Sequence, residues 1–359
     1  MKADLDVVIV GPVAPPLGGI SAHVERLAEL LEREGLRVGI VDHFGNRGHP
    51  RVIATLRRSP LRYWWEMRRL QARVVHYHHS RWSTLVATGL ARRARRGTWI
   101  ATVHGHELER SLSSRLPWVK WLGNWALGRF DQLIAVSDAV AETIVRPGGP
   151  PVAVIPAYLP PSEPYARLDD AVDGPPTALL SAYKVASRPS DDLYGLDIAG
   201  VILACACAQI PDLRCELFLS RGPAGHAERQ YLERVLQPLR DTAADRVHVY
   251  VEARLPPAFR PGAVYLRPTR TDGDAVSIRE ALDCGVPVVA SDVVTRPDGV
   301  MPLPLSDTQA WVDAISDAVG RARGEHQMTG SNSAYADALI SLYRDTLNSM
   351  SAHENLTNA

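Results

Sequence analysis

The chain has 359 residues, with 40 basic and 40 acidic side chains, 46% hydrophobic and 22% charged residues. This length suits two domains of about 150–180 residues, each able to bury a core, and the composition excludes wholesale disorder or a fibrous architecture. Up to residue 170 there are 23 basic and 16 acidic side chains, a bias that fits a phosphate-bearing substrate, an anionic membrane surface, or an uneven surface with no partner at all.

The apolar run Leu5-Asp6-Val7-Val8-Ile9-Val10 reads as a buried parallel strand, followed by a Gly/Pro loop from Gly11 to Gly19 and a helical pattern over 20–34. Further apolar runs at 38–41, 74–76, 99–103, 133–136 and 152–155, mostly separated by helix-like segments, predict a doubly wound parallel sheet. Residues 156–176 are rich in Pro, Asp and small side chains and read as an interdomain linker. A second α/β series follows, with strands expected at 178–181, 215–220, 247–251, 263–266 and 286–290, and helices near 197–208, 227–239 and 277–283. After a helix-like stretch at 310–322 and a polar break at 324–332, an amphipathic helix is expected over 333–347, with the last ten or so residues frayed.

The longest apolar run, 199–210, is far short of the ~20 residues of a membrane span, and the N-terminus lacks a signal-peptide layout, so a cytoplasmic protein is expected. Cys205, Cys207, Cys215 and Cys284 show no zinc spacing and read as buried free thiols.

The segment 267–291 carries the most chemistry. A strand runs into a Gly-containing loop, and the backbone amides of Gly273, Asp274, Ala275, Val276 and Ser277 can point at an anion where the next helix begins. A diphosphate bound there needs no metal. Glu280, one turn into the helix, is placed to accept hydrogen bonds from ribose hydroxyls, and Asp272 at the loop mouth can accept from sugar hydroxyls. The plainer alternative is that Asp272 and Asp274 cap the helix and Glu280 is a solvated charge. Asp272-Gly273-Asp274 can also be read as a metal-chelating Asp-x-Asp, although its place late in the second sheet argues against that.

Two acidic residues separated by seven others, Asp272 and Glu280, followed by Gly285-Val286-Pro287-Val288-Val289-Ala290-Ser291, resemble the nucleotide-sugar site of the family 4 retaining glycosyltransferases. The loop 11–23 with its paired Gly18 and Gly19, the strand end Thr102-Val103-His104, and the stretches 134–138 and 154–157 are similar to the same family. The resemblance implies a GT-B architecture, two doubly wound Rossmann-like α/β domains facing across a cleft. Its domains would span 1–165, rejoined by the helix 333–347 and carrying the acceptor side, and 175–330, binding the nucleotide-sugar. It implies further that Glu280 holds the ribose, Ser277 and the neighbouring amides bind phosphate, Gly18 and Gly19 approach the diphosphate, and His104 and Asp272 serve the donor sugar. The family's cations on the first strand–helix connection of the second domain have no direct match: Tyr194 stands where a Lys is usual, leaving Lys184 and Arg188 as candidate substitutes. Asp272 also replaces the usual Glu, shortening the reach by one methylene.

His106 and the run His76-Tyr77-His78-His79 are further polar groups near these strand ends, the run reading as well as a polar rim. The segments 57–69 and 115–125 mix Arg and Lys with Trp, as lipid-interface surfaces do, although packed tryptophans fit equally. The expected partners are a nucleotide-sugar donor, a glycan or lipid-linked acceptor and a peripheral contact with an anionic membrane; there is no nucleic-acid module, no cofactor and no required metal. Two rivals stay open: a degenerate, binding-only subunit and a sugar-nucleotide epimerase.

Overall fold

The computed structural model describes residues 5–43, 45–46, 48–55, 60–79, 82–92, 97–105, 108, 111–112, 114–163, 174–321 and 333–357. The chain forms two compact units, one of 1–15, 19–162 and 332–359, the other of 16–18 and 163–331.

The first unit is built on seven parallel strands: β1 (Leu5–Gly11), β2 (Val38–Asp42), β3 (Val52–Thr55), β4 (Ala72–His79), β5 (Thr98–Val103), β6 (Gln132–Ala135) and β7 (Val152–Val154), in the order β3-β2-β1-β4-β5-β6-β7. Helices α1 (Gly19–Arg33), α2 (Pro60–Arg69), α3 (Trp82–Ala91), α4 (Pro117–Leu127) and α5 (Asp138–Ile144) lie along this part of the chain. One face of the sheet buries Val7, Ile9, Ile40, Val74 and Ile100 with Val24, Leu27 and Leu31 of α1 and with Leu339, Tyr343 and Leu347 from the end of the chain.

The second unit has six parallel strands, β8 (Thr177–Ala182), β9 (Arg214–Leu219), β10 (Val247–Val251), β11 (Ala263–Arg267), β12 (Val288–Ser291) and β13 (Val300–Leu303), ordered β10-β9-β8-β11-β12-β13. Its helices are α6 (Leu196–Gln209), α7 (His226–Ala243), α8 (Val276–Asp283) and α9 (Thr308–Arg321), and α10 (Ser333–Thr357) returns the chain to the first unit. In each sheet the strand order reverses beside the first strand, between β1 and β4 and between β8 and β11. In open α/β sheets that reversal opens a crevice outside the carboxyl ends of the strands, where ligands bind.

Several local expectations shift. The short strands β3 and β13 lack the long apolar run that marked the others, and Val300 and Leu303 are only half-buried. The end of the chain continues as helix to Thr357, beyond the expected stop at 347. Packing anchors it: Tyr343 is fully buried and bonded at 2.5 Å to His76 Nδ1, and the Arg73 guanidinium donates to the Leu347 carbonyl at 3.2 Å. Cys207, Cys215 and Cys284 are buried and free.

Close approach of α6 and α7 depends on Gly200, where a Cβ would collide with the Val235 carbonyl oxygen. Gly200→Ala is therefore expected to lower stability by about 1–3 kcal/mol, the overpacking cost exceeding the ~1 kcal/mol gain in helix propensity. A thermal melt should show a loss of several degrees; an unchanged or raised Tm would mean that the helices separate at no cost.

Candidate active site

In the second unit the predicted donor-binding residues collect at the switch between β8 and β11. After β11 the chain passes through 268–275 and enters α8, whose cap residue, Ala275, has no side chain able to accept from the first turn. Asp274 accepts from Arg279 Nε at 2.7 Å. Glu280 is 7% exposed and so is not a solvated helix charge. Ser277 Oγ accepts from Tyr265 Oη at 2.7 Å, and Tyr265 Oη lies 2.7 Å from Ser181 Oγ, which ties the first turn of α8 to both central strands.

Asp272 is the hub of the loop. Its Oδ1 accepts from Arg267 Nη2 at 3.1 Å, and its Oδ2 from Arg267 Nε at 3.0 Å and Arg296 Nη1 at 2.9 Å. Arg296 also donates to Ser291 O at 2.8 Å and Ser291 Oγ at 2.9 Å, and Ser291 Oγ donates to Thr269 O at 2.6 Å. The loops that follow β11 and β12 are thus bound into one ionic frame. Burial acts to raise the pKa of Asp272, but the guanidinium groups of Arg267 and Arg296 outweigh it and hold the carboxyl below the usual range.

The two candidate cations of the 183–195 connection are placed differently. Lys184 is exposed, and the Arg188 side chain is 71% exposed and paired with Asp191 at 2.8 Å. Tyr194 instead lies under a cation from another element, with the Arg267 guanidinium 5.5 Å from its ring centre. Gly195, at φ +66°, sits where a Cβ would collide with the Pro268 carbonyl oxygen, so this connection packs directly on the loop that leads to Asp272. Gly18 clusters with the second unit, where a Cβ on it would stand 3.2 Å from the Tyr183 ring.

In the first unit Gly19 opens α1 and the loop before it is held from β2. Asp42, fully buried, accepts from Val13 N at 2.9 Å and Asn46 N at 2.8 Å, while the Asn46 side-chain amide donates to Val13 O and Pro15 O. His104 follows β5 and lies 3.0 Å, Nε2 to Nδ1, from His78 at the end of β4. His23, one turn into α1, completes a cluster with ring centres 5.0 Å from His78 and 5.3 Å from His104. Desolvation is the largest influence on His23 and lowers its pKa to about 4, against the opposing hydrogen bond of Ala157 O.

Residues 76–78 of the histidine run form no polar rim. His76 and His78 are buried, the former bonded to Tyr343 and, at 2.7 Å, to Thr102 Oγ1. His106 and the side chain of His79 lie outside the described residues. Sequence reasoning did not assign roles to Arg267, Arg296, Asp42, Asn46 or His23. Only His23 had a local signal, since it follows Gly19 by four residues and so shares its helix face.

Two Rossmann-like parallel sheets, each with acidic or histidine side chains at its switch point, make up the GT-B fold. Residues 17–159 match the profile of Glycosyltransferase Family 4 and residues 206–321 that of Glycosyl transferases group 1, one in each unit, and the chain belongs to the family 4 glycosyltransferases. No curated protein matches the sequence. Among solved structures, sucrose-phosphate synthase from Thermosynechococcus elongatus is 17% identical with a TM-score of 0.69, covering 96% of this chain and 100% of its own. The α,α-trehalose 6-phosphate synthase from Burkholderia multivorans is 14% identical with a TM-score of 0.61, covering 99% of each chain. Anabaena HepE in complex with UDP is 14% identical with a TM-score of 0.57, covering 99% of this chain and 100% of its own. At these identities the structures speak for the fold.

Proposed function

We propose that this glycosyltransferase is retaining and metal-independent, and moves a sugar from a nucleotide-sugar to a glycan or lipid-linked acceptor in polysaccharide assembly, working in the cytoplasm at the inner membrane face. The observation that carries the donor half is Glu280: a carboxylate buried on the first turns of α8, beside a loop-to-helix junction at the switch point of a parallel sheet. An ionised carboxylate there suits two ribose hydroxyls, and the amides of 273–277 with the Ser277 hydroxyl suit a diphosphate. Lys184 and Arg188 remain candidate counter-charges for that diphosphate, and His104 the sugar-facing group implied by the sequence resemblance.

Metal independence is supported by the pairing of Asp272 with Arg267 and Arg296 and of Asp274 with Arg279, because carboxylates already balanced by guanidinium charge offer a divalent ion less. Retention follows from the family reading. The leaving diphosphate oxygen takes the acceptor proton on the face from which it departs, and no carboxylate nucleophile is assigned.

The test is ligand-induced thermal stabilisation across a panel of nucleotides and nucleotide-sugars with and without a chelator, UDP first because it is the nucleotide in the HepE structure. A shift with one nucleotide that survives chelation is expected, followed by turnover giving a product of unchanged anomeric configuration by NMR. A shift that vanishes with chelator would end the metal-independent reading. Tight binding without turnover would favour a degenerate subunit, the reading for which the Tyr194 ring in place of a Lys speaks.

Among the described residues no helix is long and apolar enough to cross a membrane. Trp65, Trp118 and Trp121 of α2 and α4 are 49%, 57% and 64% exposed, and Leu116 is exposed beside them, with Arg69 over the Trp65 ring at 4.3 Å. Helix α3 packs against both α2 and α4. Exposed indoles next to cations suit the headgroup region of an anionic bilayer. Cosedimentation with phosphatidylglycerol vesicles is expected for the native chain and lost in Trp118→Ser/Trp121→Ser; equal recovery of both in the pellet would sink the membrane contact.

A further inference from the structure

We infer that His23, His78 and His104 form a binding site for a transition-metal ion of the zinc class on the first unit, and that an ion held there inhibits sugar transfer. One nitrogen from each of the three imidazoles lies within 4.8 Å of the others, the one such group of three metal-capable side chains among the described residues. They arrive from three elements: His23 from α1, His78 from the end of β4 and His104 from the turn after β5.

The proton positions favour a ligand. His23 Nδ1 stands 2.5 Å from the Ala157 carbonyl oxygen, which only accepts, so Nδ1 carries the proton and Nε2 bears a lone pair. That Nε2 atom is buried and finds no hydrogen-bond partner among the described residues, and the same holds for Nε2 of His78. Two orphaned buried imidazole nitrogens in one cluster call for an ion or water to complete them. An imidazole whose other nitrogen donates to a backbone carbonyl is the arrangement that orients histidine ligands on zinc.

The spacing fits as well. At a Zn–N distance of 2.0–2.1 Å, tetrahedral ligands lie about 3.4 Å apart. The 4.8 Å bound on the trio is compatible with that value, and the partly exposed His104, whose Nε2 now lies 3.0 Å from His78 Nδ1, is the ring that rotates to present a nitrogen to the ion. Three nitrogen ligands leave a fourth position for water. Magnesium and calcium take oxygen donors and do not suit this set, and manganese ranks below zinc at nitrogen ligands. His76 is not a fourth ligand, since Tyr343 and Thr102 occupy both its nitrogens; it backs the cluster, its ring centre 4.2 Å from that of His78.

Binding follows from the geometry alone. Inhibition rests on the reading of His104 as the sugar-facing group, because a coordinated imidazole cannot also serve the donor.

The experiment titrates chelator-treated, full-length protein with Co2+, read by visible d–d absorption, and with Zn2+, read by calorimetry. One equivalent per chain is expected, no response to Mg2+, and an affinity at least about tenfold weaker in His104→Ala and in His78→Gln. His104 is only partly buried, so its variant should keep the native melting transition. Absence of saturable Co2+ absorption in natively folded protein, or an affinity unchanged in His104→Ala, would overturn the site. In a sample with measurable transfer, Zn2+ should inhibit at the occupancy measured by calorimetry. Full activity at full occupancy would overturn the inhibition and the reading of His104 while leaving the site; lack of turnover with every donor would count against the proposed transfer and leave the binding result standing.

Discussion

Glu280→Ala is expected to abolish stabilisation by the donor nucleotide and to weaken donor binding about a hundredfold. A carboxylate accepting from two ribose hydroxyls makes charge-assisted hydrogen bonds of about 1.5–3 kcal/mol each, of which a net ~3 kcal/mol, or two decades in Kd, should be lost. Because Glu280 is almost fully buried beside the loop-to-helix junction proposed to hold the diphosphate, the loss should fall on nucleotide affinity before it falls on catalysis. Glu280→Gln, which keeps the shape but gives up the charge, should sit between the two. Isothermal titration with the nucleotide identified in the panel measures it, with circular dichroism confirming the fold. Unchanged affinity in the alanine variant would remove Glu280 from the donor site and the central argument for where the nucleotide lies.

Asp272→Ala should be strongly destabilising to the second unit. The side chains of Arg267, Arg296 and Asp272 are only 12%, 4% and 8% exposed, so removing the carboxylate strands two buried guanidinium groups. Breaking a buried pair from one side costs about 3–5 kcal/mol, largely because the remaining charge stays desolvated. Asp272→Asn should lose less, since the amide oxygen still accepts one arginine hydrogen bond.

The linkage has a definite sign. The folded-state pKa of Asp272 is depressed, so its contribution is complete above the ordinary carboxylate pKa of about 4 and is lost as pH falls through the lower folded value. Urea unfolding at pH 7 and pH 3 should show the gap between native and Asp272→Asn narrowing at the lower pH. A loss below 1 kcal/mol in Asp272→Ala at pH 7 would show that the arginines find other partners. For the proposed donor site, the consequence is that Asp272 fixes the loop before α8, and any sugar hydroxyl reaching it shares a carboxylate the arginines already hold.

The alternation of strands and helices was readable because buried parallel strands are continuous apolar runs: β1, β5, β10 and β11 stand within a residue or so of their expected bounds. The acidic pair and glycine loop were readable because their spacing is local, spanning one strand end and one helix turn. Where polar residues are buried by distant parts of the chain, local pattern fails. His76 and His78 looked like a rim because nothing near them in sequence announces that Tyr343, 267 positions away, and His23 and His104 enclose them. The cation over Tyr194 was out of reach in the same way, since Arg267 comes to that ring from β11, far along the chain.

By itself the sequence determined the class of fold, two parallel-sheet units of alternating strand and helix, and the loop-to-helix segment with Asp272 and Glu280, because periodicity and short-range spacing encode both. Only the tertiary structure decided that Asp272 is the centre of an ionic frame with Arg267 and Arg296 and that three histidines from α1, β4 and the turn after β5 converge. Those pairings are set by strand order and side-chain packing between residues far apart in the chain, which no window along the sequence contains.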